Sequence, residues 1–477
     1  MSIGSSVQIR IVIMVIIISV VNSIIVLPES YSLTSAQERK FKTTYQSTGM
    51  HINEGPLIKD ANLKVEVVYS GGISFPTSMA FLGPNDILVL EKNSGTVRRI
   101  INSTLLEKPL LHVNVLNQSE RGMLGIAISK NSTQKEPKTY VFLYLTQRGI
   151  FNHLYRYELA DNRLVNPKLL LNLPGIPGAR HNGGAIMIGP DNNVYVAIGD
   201  VSGYKRPETE TKAQNYKNGT DPDGRAGILR ITQDGKPVGN GILGNKYPLN
   251  LYYAYGIRNS FGIDFDPVTG NLWDTENGDL NADEINLVYP GFNSGWSKVQ
   301  GIWQPQQQEQ ENNFSGRNVR SSSSSAPLPI QPNDLVDFNG KGKYRDPQFD
   351  WNQTVGPTAI KFLNSDKYGK EYQNDMFVAD FNNGNIYHFD LNKRRTQLHL
   401  DTVLKDKIAN NNDELHNIIF GTGFGGITDM EVGPDGYLYI LSIYEEREKC
   451  DPNIPYSQCF KFNTPLEGTI FRIIPQS

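Results

Sequence analysis

Cysteine is nearly absent from this chain: Cys450 and Cys459 are the only two. A metal pair built on them would need nearby histidines. The seven histidines are scattered instead, which argues against a His-rich zinc centre. A basic excess is missing too. The formal charge is −3, so nothing points to nucleic acid. The chain has no H-E-x-x-H, no G-x-S-x-G and no P-loop. Gly421-Thr-Gly423-Phe-Gly425-Gly426 satisfies G-x-G-x-x-G only as letters. It leads into a strand and a turn, not into a helix whose N-terminus could hold a phosphate.

The sequence is rich in turn formers and aromatics, with Gly 44, Pro 27 and Tyr 23. Those residues favour many turns and aromatic strands over helices. Hydrophobic residues make up 38% and charged residues 20%, enough for a real core in a soluble protein. Arg10 precedes an apolar run from Ile11 to Leu27, the pattern of an export signal. Residues 1–28 are therefore either a cleaved signal or a retained N-terminal anchor, and the rest of the chain is expected outside the cytoplasm. In that compartment Cys450 and Cys459, flanking Asp451 to Gln458, are expected to form a loop-closing disulfide. Six N-x-S/T triplets, at Asn102, Asn117, Asn131, Asn218, Asn313 and Asn352, lend weak support to a glycosylated surface.

A repeat runs along the chain. A short strand leads into a turn close to G/D-P-D/N-G/N, an aromatic strand follows, and a third strand resembles G-x-I-x-R-I. Clear copies are Gly184–Ile188 with Val194–Ile198, and Ile427–Val432 with Tyr437–Leu441. Others begin at Met79, Met123, Phe261 and Ala359. Third strands recur at Gly95–Ile100, His153–Leu159, Gly227–Ile231, Glu284–Val288, Gly384–Phe389 and Gly468–Ile473. Six in-phase meanders predict an all-β, six-bladed β-propeller of four-stranded antiparallel blades over residues 63–477. A β-sandwich, or several small β domains, is the alternative. The strand Leu63–Ser70 lies before the first unit and is placed to close the ring against the last blade. Residues 29–62 are a polar lead-in. Residues 304–332, with their Gln and Ser runs, are a low-complexity insertion that cannot bury a core.

A hairpin returns the chain to its starting side. Residues entering each first strand and leaving each second strand should therefore ring one mouth of the channel. That set includes Lys92, Glu120, Arg121, Arg180, His181, Asp200, Arg258, Asn259, Asn382 and Thr428. Each could simply be a solvated strand end. Their concentration in units three and four marks a site. His181 is the candidate proton acceptor, because imidazole titrates near neutrality. Asp200 could orient or charge-pair it, and Arg258 could stabilise a developing oxyanion. The stretch from Asp274 to Glu284 is dense in oxygen donors of the kind calcium takes, and is otherwise a solvated acidic loop.

Glu120-Arg-Gly-Met-Leu-Gly125, His181-Asn-Gly-Gly, Ile198-Gly-Asp200, Tyr255-Gly-Ile-Arg-Asn-Ser-Phe261, Asp283-Glu-Ile-Asn286 and Gly291-Phe-Asn-Ser-Gly-Trp296 together resemble the glucose/sorbosone dehydrogenase family. The likeness runs from about Val65 to Ile474. It implies a soluble aldose dehydrogenase that uses pyrroloquinoline quinone (PQQ) and calcium, with a sugar substrate and a separate electron acceptor. On that resemblance His181 is the base that takes the proton from the sugar C1 hydroxyl, and Asp200 is its acidic partner. Arg258 and Asn259 contact the quinone oxygens, and Glu120, Asn382 and Thr428 line the cofactor site. Gly278 and Asp279 supply carbonyls to the calcium beside the cofactor, and Glu284 belongs to a structural calcium site. The sequence departs from the family where Lys and Arg of units five and six pair with the PQQ carboxylates. Here those positions read Asn382-Asn383 and Gly426-Ile-Thr428. That departure keeps a second reading open, a non-catalytic exported propeller that binds a glycan or a protein. A calcium-dependent lactonase-type hydrolase fits the His and Arg residues poorly.

Overall fold

The structure is a computed structural model that describes residues 55–131, 137–201, 210–279, 281–303, 334–443 and 466–476. All of them lie in one compact unit, Asn53–Ser477. The N-terminal apolar run, most of the lead-in, the low-complexity insertion, Cys450 and Cys459 lie outside the described residues.

The described residues are almost wholly strand and loop, and the architecture is an all-β propeller. The strands pair into six sheets, each seeded by one sequence repeat. Their first strands are Pro76–Gly83, Met123–Asn131, Ile186–Ile188, Ser260–Phe265, Pro357–Phe362 and Gly426–Val432. Each of these contacts the next in that order, and the sixth touches the first. The first strands thus surround a common axis, and later strands step outward.

Four strands per sheet is not the rule. The second and sixth sheets have four strands, and the third has six. The extra strands are short edge additions. Phe292–Asn293 and Lys343–Tyr344 extend the third sheet in parallel register, and Ile408–Ala409 does the same for the fourth. An open sheet edge presents unpaired N–H and C=O groups, so connections crossing it pair with it. The repeat pattern is blind to such segments because two residues carry no period.

The strand predicted at Leu63–Ser70 extends over Leu63–Ser74. It pairs antiparallel with the last strand, Glu467–Pro475, as the outermost strand of the sixth sheet. A strand that precedes the first repeat and the last described strand therefore share one sheet. Between neighbouring sheets lie apolar layers. Trp273, Phe349, Trp351, Tyr387 and Phe389 fill one of them and are almost completely buried. Burying each such side chain contributes on the order of 1.5–3 kcal/mol.

Polar side chains link the inner strands where backbone pairing stops. Asp264 accepts the N–H of Phe362 (2.8 Å), and Asp429 accepts the N–H of Met79 (2.7 Å) and the hydroxyl of Ser78 (2.9 Å). Thr77 donates to the carbonyl of Met123 and Thr358 to that of Ile427. Buried Lys361 lies between Asp264 (3.8 Å) and Glu431 (3.1 Å). These bonds hold the sheets in register around the axis, and with them the loops of the mouth.

Candidate active site

His181 precedes the first strand of the third sheet, and Asp200 follows that sheet's second strand, Val194–Ile198. The hairpin brings them together: His181 Nδ1 lies 2.7 Å from Asp200 Oδ1. An ionised carboxylate only accepts, so this bond assigns the proton to Nδ1 and leaves Nε2 as the basic nitrogen. Nε2 has no hydrogen-bond partner among the described residues. Both side chains are buried, at 8% and 5% exposure. His181 adopts φ +59°, a left-handed conformation uncommon among non-glycine residues. The restraint is visible. Its N–H donates to Glu120 Oε2 (2.6 Å), and its carbonyl accepts from Val201 N–H (3.2 Å).

Gly199 explains how the third and fourth sheets meet here. A Cβ at that position would lie 2.5 Å from the carbonyl oxygens of both Arg258 and His181. Only glycine allows that approach. The next amide, Asp200 N–H, then donates to the carbonyl of Arg258 (2.9 Å). Arg258 precedes the first strand of the fourth sheet, and its own N–H donates to Glu276 Oε1 (2.6 Å). Its guanidinium donates to the carbonyl of Asn277 (2.8 Å) and lies 3.4 Å from Asp279 Oδ1. The buried Nε–H of Arg258 has no acceptor among the described residues. A fixed cation with a spare buried donor suits a ligand oxygen.

Trp296 joins the two halves of the site, a role its place in the sequence motif does not reveal. Its indole N–H donates to Asp200 Oδ2 (2.8 Å), and its ring lies 5.4 Å from the Arg258 guanidinium. One side chain thus restrains both the partner of the base and the cation. Asn259 and Glu120 spend polar atoms on the frame. Asn259 Oδ1 accepts Gly183 N–H (3.2 Å), and its amide donates to Glu120 Oε2 (3.5 Å).

The candidate metal residues fall in two places. Gly278 and Asp279 lie in the rim loop beside Arg258, and Gly278 N–H is fixed by Asp283 Oδ1 (2.7 Å). Glu284 lies deeper, next to Glu276 on the neighbouring strand, with Asp274 two residues further along. Strand alternation points Asp274, Glu276 and Glu284 to one face, and all three are buried. Burial, reinforced by Glu284, pushes Asp274 up to about 8. Burial and Asp274 push Glu276 up to about 8, and burial and Glu276 raise Glu284. Both oxygens of Asp274 lack a hydrogen-bond partner among the described residues. Glu276 accepts from Arg258 N–H and Ser294 Oγ, and Glu284 from Gly301 N–H, so Asp274 alone of the three offers unpartnered oxygens of the hard kind that calcium takes. Among the described residues no group of three or more His, Cys, Asp or Glu converges in a metal-holding arrangement.

Asn382 and Thr428 are not bonded to this cluster. The Asn382 amide donates to the carbonyl of Thr354 (3.5 Å), and the Thr428 hydroxyl to that of Leu441 (3.3 Å). Lys92, by contrast, is buried in the rim of the first sheet, close enough to Glu120 to feel its charge.

Comparison with known proteins covers the same ground. Residues 73–448 match the family model described as Glucose / Sorbosone dehydrogenase. The quinoprotein glucose dehydrogenase B of Acinetobacter calcoaceticus is 29% identical over 274 residues, 51% of this chain and 54% of that one. The aldose sugar dehydrogenase YliI of Escherichia coli is 23% identical over 80% of this chain and 90% of its own length. The solved PQQ-bound aldose sugar dehydrogenase of Streptomyces coelicolor shares the fold, with a TM-score of 0.55 and 20% identity over 87% of this chain and 99% of that one. The matched span takes in the whole of the His181–Asp200–Arg258–Trp296 cluster, and the chain belongs to the glucose/sorbosone dehydrogenase family.

Proposed function

We propose that this chain is an exported sugar dehydrogenase that uses PQQ and calcium, built on a six-bladed propeller. The six mutually touching first strands support the blade number. The apolar run Ile11–Leu27 supports export. The observation that carries the activity is the buried His181–Asp200 pair, set beside Arg258 at one mouth of the channel. The family relatives act on glucose and aldose sugars by their names, and the substrate proposed here is an aldose with a C1 hydroxyl.

The residues divide the work. Nε2 of His181 takes the C1 hydroxyl proton as C1 loses hydride, and the sugar leaves as its lactone. Asp200 holds the imidazole in the tautomer that exposes Nε2, and then stabilises the imidazolium. Arg258, with its spare Nε–H and its guanidinium fixed by Asn277, would hold a cofactor oxygen, with Asn259 alongside. Gly278 and Asp279 would face the calcium at the rim, and Glu284 would belong to a structural calcium site. When bound, PQQ with its calcium would supply the two-electron acceptor for the C1 hydride, and an external acceptor would take the electrons onward.

The test is direct. Purified protein is loaded with PQQ and calcium, then given an aldose and an artificial electron acceptor. Dye reduction is expected, and His181→Ala should lower it by about 10²–10⁴-fold. A wild-type protein that takes up no PQQ on titration overturns this reading in favour of a non-catalytic propeller.

A further inference from the structure

Lys92 follows the second strand of the first sheet, Asp86–Glu91, so it stands at the same mouth as His181 and Asp200. The residue is 6% exposed. Nζ donates to Asn93 Oδ1 (3.0 Å) and to the carbonyl of Asn117 (3.3 Å), and lies 5.0 Å from the Phe75 ring centroid. Every one of these partners is uncharged. The carboxylate that acts on it electrostatically is Glu120. Glu120 Oε2 already accepts from His181 N–H and lies within reach of the Asn259 amide.

The fold makes room for this lysine. A Cβ at Gly122 would lie 2.6 Å from Lys92 Cγ and 2.5 Å from its carbonyl oxygen, and Gly122 adopts φ +148°. A buried ammonium without a carboxylate partner is costly. Burial lowers Lys92 to about 8, against the pull of Glu120. Costs of this kind concentrate where a ligand supplies the missing charge. The fifth and sixth sheets offer no such charge at the positions considered above, because Asn382 and Thr428 are neutral and bonded to backbone carbonyls.

We infer that Lys92 binds a carboxylate of the cofactor, so that the anion clamp of this protein stands on the first and fourth sheets, as Lys92 and Arg258. The inference rests on the PQQ reading given above.

PQQ is titrated into calcium-loaded wild type, Lys92→Gln, Lys92→Arg and the exposed control Lys108→Gln, with binding read from quenching of tryptophan fluorescence. Lys92→Gln should weaken binding by 10- to 100-fold, Lys92→Arg should recover most of the loss, and Lys108→Gln should match wild type. Added salt should narrow the gap between wild type and Lys92→Gln. Equal binding by wild type and Lys92→Gln overturns the inference and leaves the PQQ reading standing. No binding by wild type overturns both. A measurement free of variants guards against misfolding: lysine acetylation of wild type, read by mass spectrometry, should show Lys92 protected by PQQ and Lys108 not. Lys92 acetylated equally with and without bound PQQ also overturns the inference.

Discussion

At the residue scale, the site depends on side chains whose cost is met by a neighbour. His181 holds a left-handed φ because Glu120 and Val201 fix its backbone on either side. Lys92 is the sharper case, since its cost depends on pH. Burial lowers it to about 8, whereas an unfolded lysine titrates near about 10.4. Between those values the unfolded chain binds more protons, so stability rises with pH across that window. The penalty is fully present below about 8 and gone above about 10.4. Lys92→Met should therefore be more stable than wild type at pH 7, by on the order of 2–3 kcal/mol. The two should converge toward pH 10.5. Urea unfolding at both pH values measures the difference, and a variant less stable than wild type at pH 7 refutes the account.

At the element scale, the rim loop between Leu272–Glu276 and Asp283–Val288 carries Asn277, Gly278 and Asp279 against Arg258. Its anchor is Asp283. The carboxylate accepts from the N–H groups of Gly278 (2.7 Å), Val355 (2.6 Å) and Gly356 (2.8 Å). The loop is thus tied to the segment entering the fifth sheet. Asp283→Ala leaves three donors without an acceptor and should cost at least about 2 kcal/mol. Amide exchange at Gly278 should quicken in the variant, while the strands of the second sheet keep their protection. The acidic stretch Asp274–Glu284 was legible in the sequence as a concentration of oxygen donors. Its division was not. Alternation aims Asp274, Glu276 and Glu284 inward, and the hydrogen bonds of Asp283 make it a brace. Trp296 was hidden for a related reason: its partners Asp200 and Arg258 are 96 and 38 residues away in the chain.

At the scale of the whole molecule, a strand that precedes the first repeat and the last described strand close the sixth sheet. Leu63–Ser74 pairs with Glu467–Pro475, and the Arg472 guanidinium binds the Glu66 carboxylate across the junction. Removing residues up to Ser74 exposes the edge of the final strand. Loss of a single cooperative unfolding transition is expected, as calorimetry would record. A truncated chain that melts as sharply as the full one contradicts a closure role.

The sequence by itself determined the periodic part of this protein. Six repeats of alternating apolar residues and tight turns specify strands, their order and which strand ends share a mouth, because period and turn chemistry are local properties. His181, Asp200 and Arg258 were legible for the same reason, as strand-end residues of adjacent units. Tertiary structure alone decided the edge strands, the unpartnered oxygens of Asp274, the Trp296 bridge and the buried setting of Lys92. Each of these depends on what a side chain meets across a gap between sheets. That meeting is fixed by packing and desolvation between segments far apart in the chain, and no local pattern encodes it.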